Sequence, residues 1–133
     1  MRSRTLALFL GITIATCTSG AAADDLYVIC SAGVVLQPSE IRNVFIGEKA
    51  FAGSAKLVPA DNSAAQAAFL EKVLKLDAVK YAGLWTKKSF RDGANPPPVK
   101  SSDAEAIAFV KSTAGGCSYV TSIPAGVTPI AKF

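Results

Sequence analysis

Apolar positions along this chain fall into short runs separated by polar punctuation. Leu26-Tyr27-Val28-Ile29-Cys30 is an apolar run rich in β-formers between Asp24-Asp25 and Ser31-Ala32-Gly33, and it predicts a buried strand. Val34-Val35-Leu36 continues it as extended chain. Gln37-Pro38-Ser39-Glu40 then opens a short helix, with Pro at the first helical position and Glu at the third. Ile41, Val44 and Phe45 share one face of that helix, and Gly47 ends it. Lys56-Leu57-Val58-Pro59 predicts a second strand, and Pro59 stops it or puts that end outside a ladder. Asp61-Asn62-Ser63 opens a helix running to about Lys75, with Ser63 and Gln66 fitting a capping box and Ala65, Phe69 and Val73 recurring at helical spacing. Asp77 caps a further helix to about Ser89, whose inner face carries Tyr81, Leu84, Trp85 and Lys88 at intervals of three and four. Arg91-Asp92-Gly93-Ala94-Asn95-Pro96-Pro97-Pro98 reads as a loop, a stiff excursion over the surface. Ser102-Asp103-Ala104-Glu105 is another capping box, before a helix that buries Ile107 and Val110 and ends at Gly115-Gly116. Cys117 to Val120 predicts a third strand. Gly126 to Ala131 predicts a terminal one, placed at a sheet edge by Pro129. Strands interleaved with helices predict an α/β layered domain.

The N-terminal residues follow another pattern. Arg2 and Arg4 precede the uncharged apolar run Leu6–Thr16, and Ala21-Ala22-Ala23 follows. That is the layout of a secretory signal peptide over residues 1–23, cleaved after Ala23. The run is too short for a stable membrane span, which needs about 20 residues. The remaining residues, 24–133, are one domain by length. Ile14-Ala15-Thr16-Cys17 also resembles a lipobox, although Thr16 is larger than the residue normally found before the lipidated cysteine. The other reading makes Cys17 an apolar residue of a discarded leader. Losing Arg2 and Arg4 with the leader takes the 14 basic residues to 12 against 10 acidic ones, too small an excess to point to nucleic acid.

Export changes the reading of the cysteines. Cys30 and Cys117 remain as a pair in an oxidising compartment, where a disulfide is expected, the alternative being two buried thiols. The chain contains no histidine, which excludes His-based triads, bases and metal ligands. Two cysteines alone make a poor metal site. No catalytic residue, metal or cofactor is therefore expected, and the chain reads as non-enzymatic. Three features carry two readings each. Ser31-Ala32-Gly33 is a plain turn or a ligand loop at a strand end. Lys87, Lys88 and Arg91 are a solvated face or a recruiting patch. Tyr81 and Trp85 are core residues or a recognition surface.

Five segments, in order, resemble the small single-lobe relatives of phosphate ABC-transporter substrate-binding proteins. They are Leu26–Cys30; Ile41-Arg42-Asn43-Val44-Phe45-Ile46-Gly47; Val58–Ser63 with the alanine-rich stretch to Phe69; Tyr81 and Trp85 with Phe90-Arg91-Asp92-Gly93 and the Pro run; and Ala114-Gly115-Gly116-Cys117-Ser118-Tyr119-Val120. The resemblance covers residues 25–133. It implies a single three-layer lobe of a type II periplasmic binding protein-like fold, with a mixed sheet flanked by helices. It also implies a periplasmic solute-binding role, with phosphate or a similar oxyanion as ligand for ABC-type transport. In that family an oxyanion sits at a helix N-terminus opened by Asp-Gly-Ser-Gly-Thr, where free N–H groups and the helix dipole favour an anion. The matching residues are Asp61-Asn62-Ser63-Ala64-Ala65, and Ser31 is a further candidate contact. Asp61 and Ser63 match, Asn62 and Ala64 replace the two glycines, and Ala65 replaces the threonine. Pro59 stands where the family has an anion-pairing arginine. These departures, and the absence of a facing lobe from this length of chain, leave a second expectation: a protein that keeps the fold and docks on an envelope or transporter partner. The capping residues Asp61, Asn62 and Ser63 then have no ligand role. In the family fold the strands carrying Cys30 and Cys117 share a sheet, which would put the two thiols within bonding reach.

Overall fold

The computed structural model describes residues 25–133. The expected leader over residues 1–23, and Cys17 within it, lie outside the described residues. Two strands carry the main sheet. β1 (Tyr27–Cys30) and β7 (Gly116–Val120) pair antiparallel, with Tyr27 opposite Val120 and Cys30 opposite Cys117. β4 (Val58–Pro59) joins β7 in parallel, and β8 (Ala131–Lys132) joins β1 antiparallel. The order β4-β7-β1-β8 makes a mixed four-stranded sheet.

Alternation along β1 and β7 sends side chains to two different cores. Val28, Cys117 and Tyr119 face one side, where they meet Phe45 of α1 (Ile41–Phe45), Phe69 of α2 (Gln66–Phe69), and Tyr81 and Trp85 of α3 (Ala78–Asp92). Ile29 and Val120 face the other side and meet Ala106 and Val110 of α4 (Asp103–Ser112). Helices thus cover both faces, and the fold is mixed α/β in three layers. Phe69 stacks on Tyr119 with ring centroids 3.9 Å apart, and Phe45 closes edge-on at 4.7 Å from Phe69. Each is fully buried, so this aromatic triple is the centre of the larger core.

Several expected elements form as read. Glu40 accepts from the N–H of Gln37 at 2.8 Å, starting a 3₁₀ turn over Pro38–Glu40 that leads into α1. Asp77 caps α3 by accepting from the N–H of Lys80. Ser102 caps α4 by accepting from Glu105, but Glu105 reaches back to Ser101 instead of Ser102.

Others differ. The stretch expected as one strand over Lys56–Pro59 is divided at buried Leu57. Ala55–Lys56 is β3 of a hairpin with β2 (Phe51–Ala52), and only Val58–Pro59 enters the main sheet. Pro59 is tolerated because β4 is an edge strand. The α2 helix begins at Gln66, not at Ser63; its N-cap is Ala65, and no side chain caps it. The expected Ser63–Gln66 capping box does not form, because Asp61–Asn62 is a strand, β5, in parallel with β6 (Val99–Lys100). Past Phe69 the helix widens into a π-helical turn over Leu70–Leu74, which Lys75 closes at φ +56°. α3 runs three residues beyond Ser89, and β8 begins at Ala131, past Pro129. The Pro run does not stand off the surface: Pro97 is buried, and Pro98 accepts from the N–H of Asp61 at 2.8 Å.

Candidate functional site

The chain from Val58 to Ser63 changes partners as it goes. Ala60 donates its N–H to Cys117, then Asp61 to Pro98 and Ser63 to Lys100, each at 2.8 Å. The handover drives Asp61 and Asn62 into the interior, where they are 2 % and 0 % exposed. Buried polar groups must be satisfied internally, and here each atom finds a partner. Tyr81 and Tyr119 donate their hydroxyls to the two oxygens of Asp61, both at 2.9 Å. Asn62 donates Nδ2 to Asp103 at 2.7 Å and to the Tyr119 carbonyl at 3.0 Å, and its Oδ1 accepts from the N–H of Ala64. Asp103 accepts in turn from the N–H and hydroxyl of Thr121. One network therefore ties β5, α3, α4 and β7 together.

Its electrostatics follow from burial. Loss of water pushes the Asp61 carboxyl above its ordinary range, and the two tyrosine hydroxyls only partly offset this. Burial first, and the nearby Asp61 charge second, push both Tyr81 and Tyr119 well above the usual phenol range. Both stay protonated as donors. At Asp103 burial acts upward, but hydrogen bonds from Thr121 and Asn62 outweigh it and hold the carboxyl below its ordinary value.

The four residues singled out as anion contacts do not form one cluster. Asp61, Asn62 and Ser63 sit at the Tyr119–Val120 end of β7. Ser31 sits at the other end, where its N–H donates to Gly116 and its Oγ accepts from Gly115. At the matching turn, the N–H groups of Asp61, Ser63, Ala64 and Ala65 all donate to oxygens of this chain. The side chain of Ser63 is exposed, while Asp61 points into the tyrosine pair.

Tyr81 and Trp85 are buried, as a core reading requires, yet each also lines an open groove of about 480 Å³ with Asp61, Pro96, Pro97 and Val99. Sequence reasoning missed Asp61 as a buried carboxylate, and missed Asn62, Asp103 and Thr121 as a network. The sequence shows Asp-Asn ahead of a helix, a common capping pattern, and carries no sign of the β6 partner. Lys87, Lys88 and Arg91 do lie together beside Glu48 on the outer side of α3, with Arg91 paired to Asp92 at 2.9 Å. Among the described residues no group of three or more His, Cys, Asp or Glu is placed to hold a metal ion, and no helix is long and apolar enough to cross a membrane. Cys30 and Cys117 form a disulfide. Neither a scan against protein-family models nor a search of curated proteins finds a match to this chain.

Proposed function

We propose that this chain is an exported, non-catalytic binding module built as one lobe of a type II periplasmic binding fold, a solute-binding-like protein of the phosphate transporter type. The observation that carries the reading is the path of residues 58–65. They run parallel to β7 and then to β6, and turn toward α2 at the carboxyl end of β5, with Ser63 exposed at the turn. Open α/β sheets bind ligands outside the carboxyl ends of their strands. Helices on both faces of a mixed sheet fit such a lobe, and a disulfide is compatible with an oxidising, exported location.

A second reading has its own support. With the main-chain donors of Asp61, Ser63, Ala64 and Ala65 already committed inside the chain, an oxyanion meets few free N–H groups there. That favours a module which keeps the fold and docks on an envelope or transporter protein.

Thermal unfolding at constant ionic strength, with phosphate, sulfate and other small anions titrated in, separates the two. A ligand bound only by the folded chain adds about 2.7 kcal/mol at one hundred times its Kd. The solute reading expects a saturating shift with one anion, lost in Ser63→Ala. No shift with any anion up to millimolar concentration leaves the docking reading.

A further inference from the structure

Most of the surface of α3 faces outward. Only Tyr81 and Trp85 of this helix are buried, and two exposed rows run along it at intervals of four, three and four. Val79, Gly83, Thr86 and Phe90 make the first row, and all four are exposed. Val79 and Phe90 are 82 % and 89 % exposed and stand about 16 Å apart along the axis. With only Gly83 and Thr86 between them, one flat surface can touch both. Lys80, Leu84, Lys87 and Arg91 make the second row, basic except for half-buried Leu84. No acidic residue occurs from Ala78 to Arg91. Asp77 and Asp92, at the two ends, continue the buried row through Tyr81 and Trp85 at intervals of four and seven. Lys80 comes only within 4.0 Å of Asp77, Arg91 pairs with Asp92, and such exposed pairs are weak. Lys87 has no ion pair among the described residues. Glu48 also borders this row, and its single charge is outnumbered by Lys80, Lys87, Lys88 and Arg91.

We infer that this face of α3 docks on an anionic lipid surface. Phe90 and Val79 enter the boundary between headgroups and acyl chains, and Lys80, Lys87 and Arg91 reach the lipid phosphates from the flank. The charge pattern selects this occupant. A second copy packed antiparallel along the same row by a two-fold axis would set the two basic rows side by side, where like charges repel. A protein partner needs shape complementarity over a large area, and this row offers two large apolar side chains with a Gly and a Thr between them. A lipid surface asks for no such fit. With 12 basic against 10 acidic residues once Arg2 and Arg4 are lost with the leader, the attraction belongs to this face and not to the molecule's net charge. The inference goes beyond both readings above, since neither the turn at Ser63 nor a docking protein requires a lipid contact.

Cosedimentation tests it. The oxidised protein, purified after export, is spun with vesicles of equal parts phosphatidylglycerol and phosphatidylcholine, and separately with vesicles of phosphatidylcholine alone. The expected result is saturable binding to the anionic vesicles only, released by about 1 M salt, where screening acts within about 3 Å. The double variant Lys80→Gln, Lys87→Gln should bind about thirtyfold more weakly, and Phe90→Ser about tenfold more weakly. Both change exposed side chains and should melt as the wild type does, so lost binding is not a lost fold. No binding to anionic vesicles overturns the inference, as do equal binding to phosphatidylcholine and unchanged binding by the variants. Binding to soluble poly-glutamate as tight as to the vesicles, and unaffected by Phe90→Ser, would make this a face for acidic protein and overturn the lipid occupant. The melting experiment with small anions contains no vesicles, so its outcome bears on the Ser63 turn alone.

Discussion

A carboxylate at 2 % exposure has lost nearly all of its water, and at Asp61 two tyrosine hydroxyls replace it. The replacement is incomplete, because the folded-state pKa is raised above the reference 3.8. The sign follows directly. Ionised Asp61 opposes folding at neutral pH, and that penalty fades as pH falls through the folded value and is gone below 3.8. Asp103 behaves oppositely: its depressed pKa adds stability at neutral pH that is lost on acidification. Asp61→Asn removes the first effect and spares the second. Urea unfolding at neutral pH and near pH 4 should therefore show the variant losing more stability on acidification than the wild type. Parallel losses would remove Asp61 from the pH response. None of this was legible in Asp61-Asn62-Ser63 as a string. Three polar residues ahead of an apolar helix look like a cap, and the burial of the first two depends on Pro98 and Tyr119, far along the chain.

Elements whose signals are local were readable. Ser102, with Glu105 three residues on, marks the start of α4, and Asp77 marks the start of α3. Elements built from distant pairing were not. The strands β2, β3, β5 and β6 are two residues each, too short for a period, and Asp-Asn is a poor strand sequence. The two Ser positions offer a direct contrast. Ser102→Ala should cost about 1 kcal/mol as a lost cap. Ser63→Ala, where no cap exists, should stay within about 0.5 kcal/mol, as exposed substitutions do. Chemical denaturation of both variants measures the difference, and equal losses would restore Ser63 as a helix cap. Gly115 is a stricter case. It has φ +75°, and a Cβ there would run into the Lys56 carbonyl where β3 leads toward β4. Gly115→Ala should cost about 3 kcal/mol or more, from backbone strain and displacement of that segment. A variant with wild-type melting would show that the crossing of residues 56–57 over Gly115 is not needed.

Across the whole molecule, the disulfide closes most of the fold. Cys30 and Cys117 are opposite each other on neighbouring strands, with Cα atoms 4.0 Å apart, and they lie 87 positions apart in sequence. Cross-linking so long a loop removes unfolded-state entropy worth about 4–5 kcal/mol. Thermal unfolding with and without reductant should show a loss of that order, and the Cys30→Ala, Cys117→Ala double variant should match the reduced protein. An unchanged melting temperature on full reduction would mean the bond contributes nothing. The pairing itself was anticipated from two cysteines left in an oxidising compartment, before any sheet was known. The α/β alternation and the helix faces of α1, α3 and α4 were equally local, because apolar spacing and capping residues act within a few positions of one another. The handover of residues 58–63 from β7 to β6 needed the folded chain. So did the burial of Asp61 under two tyrosines. These depend on which distant segments become neighbours, and a strand pairing or a desolvated charge has no signature in its own few residues.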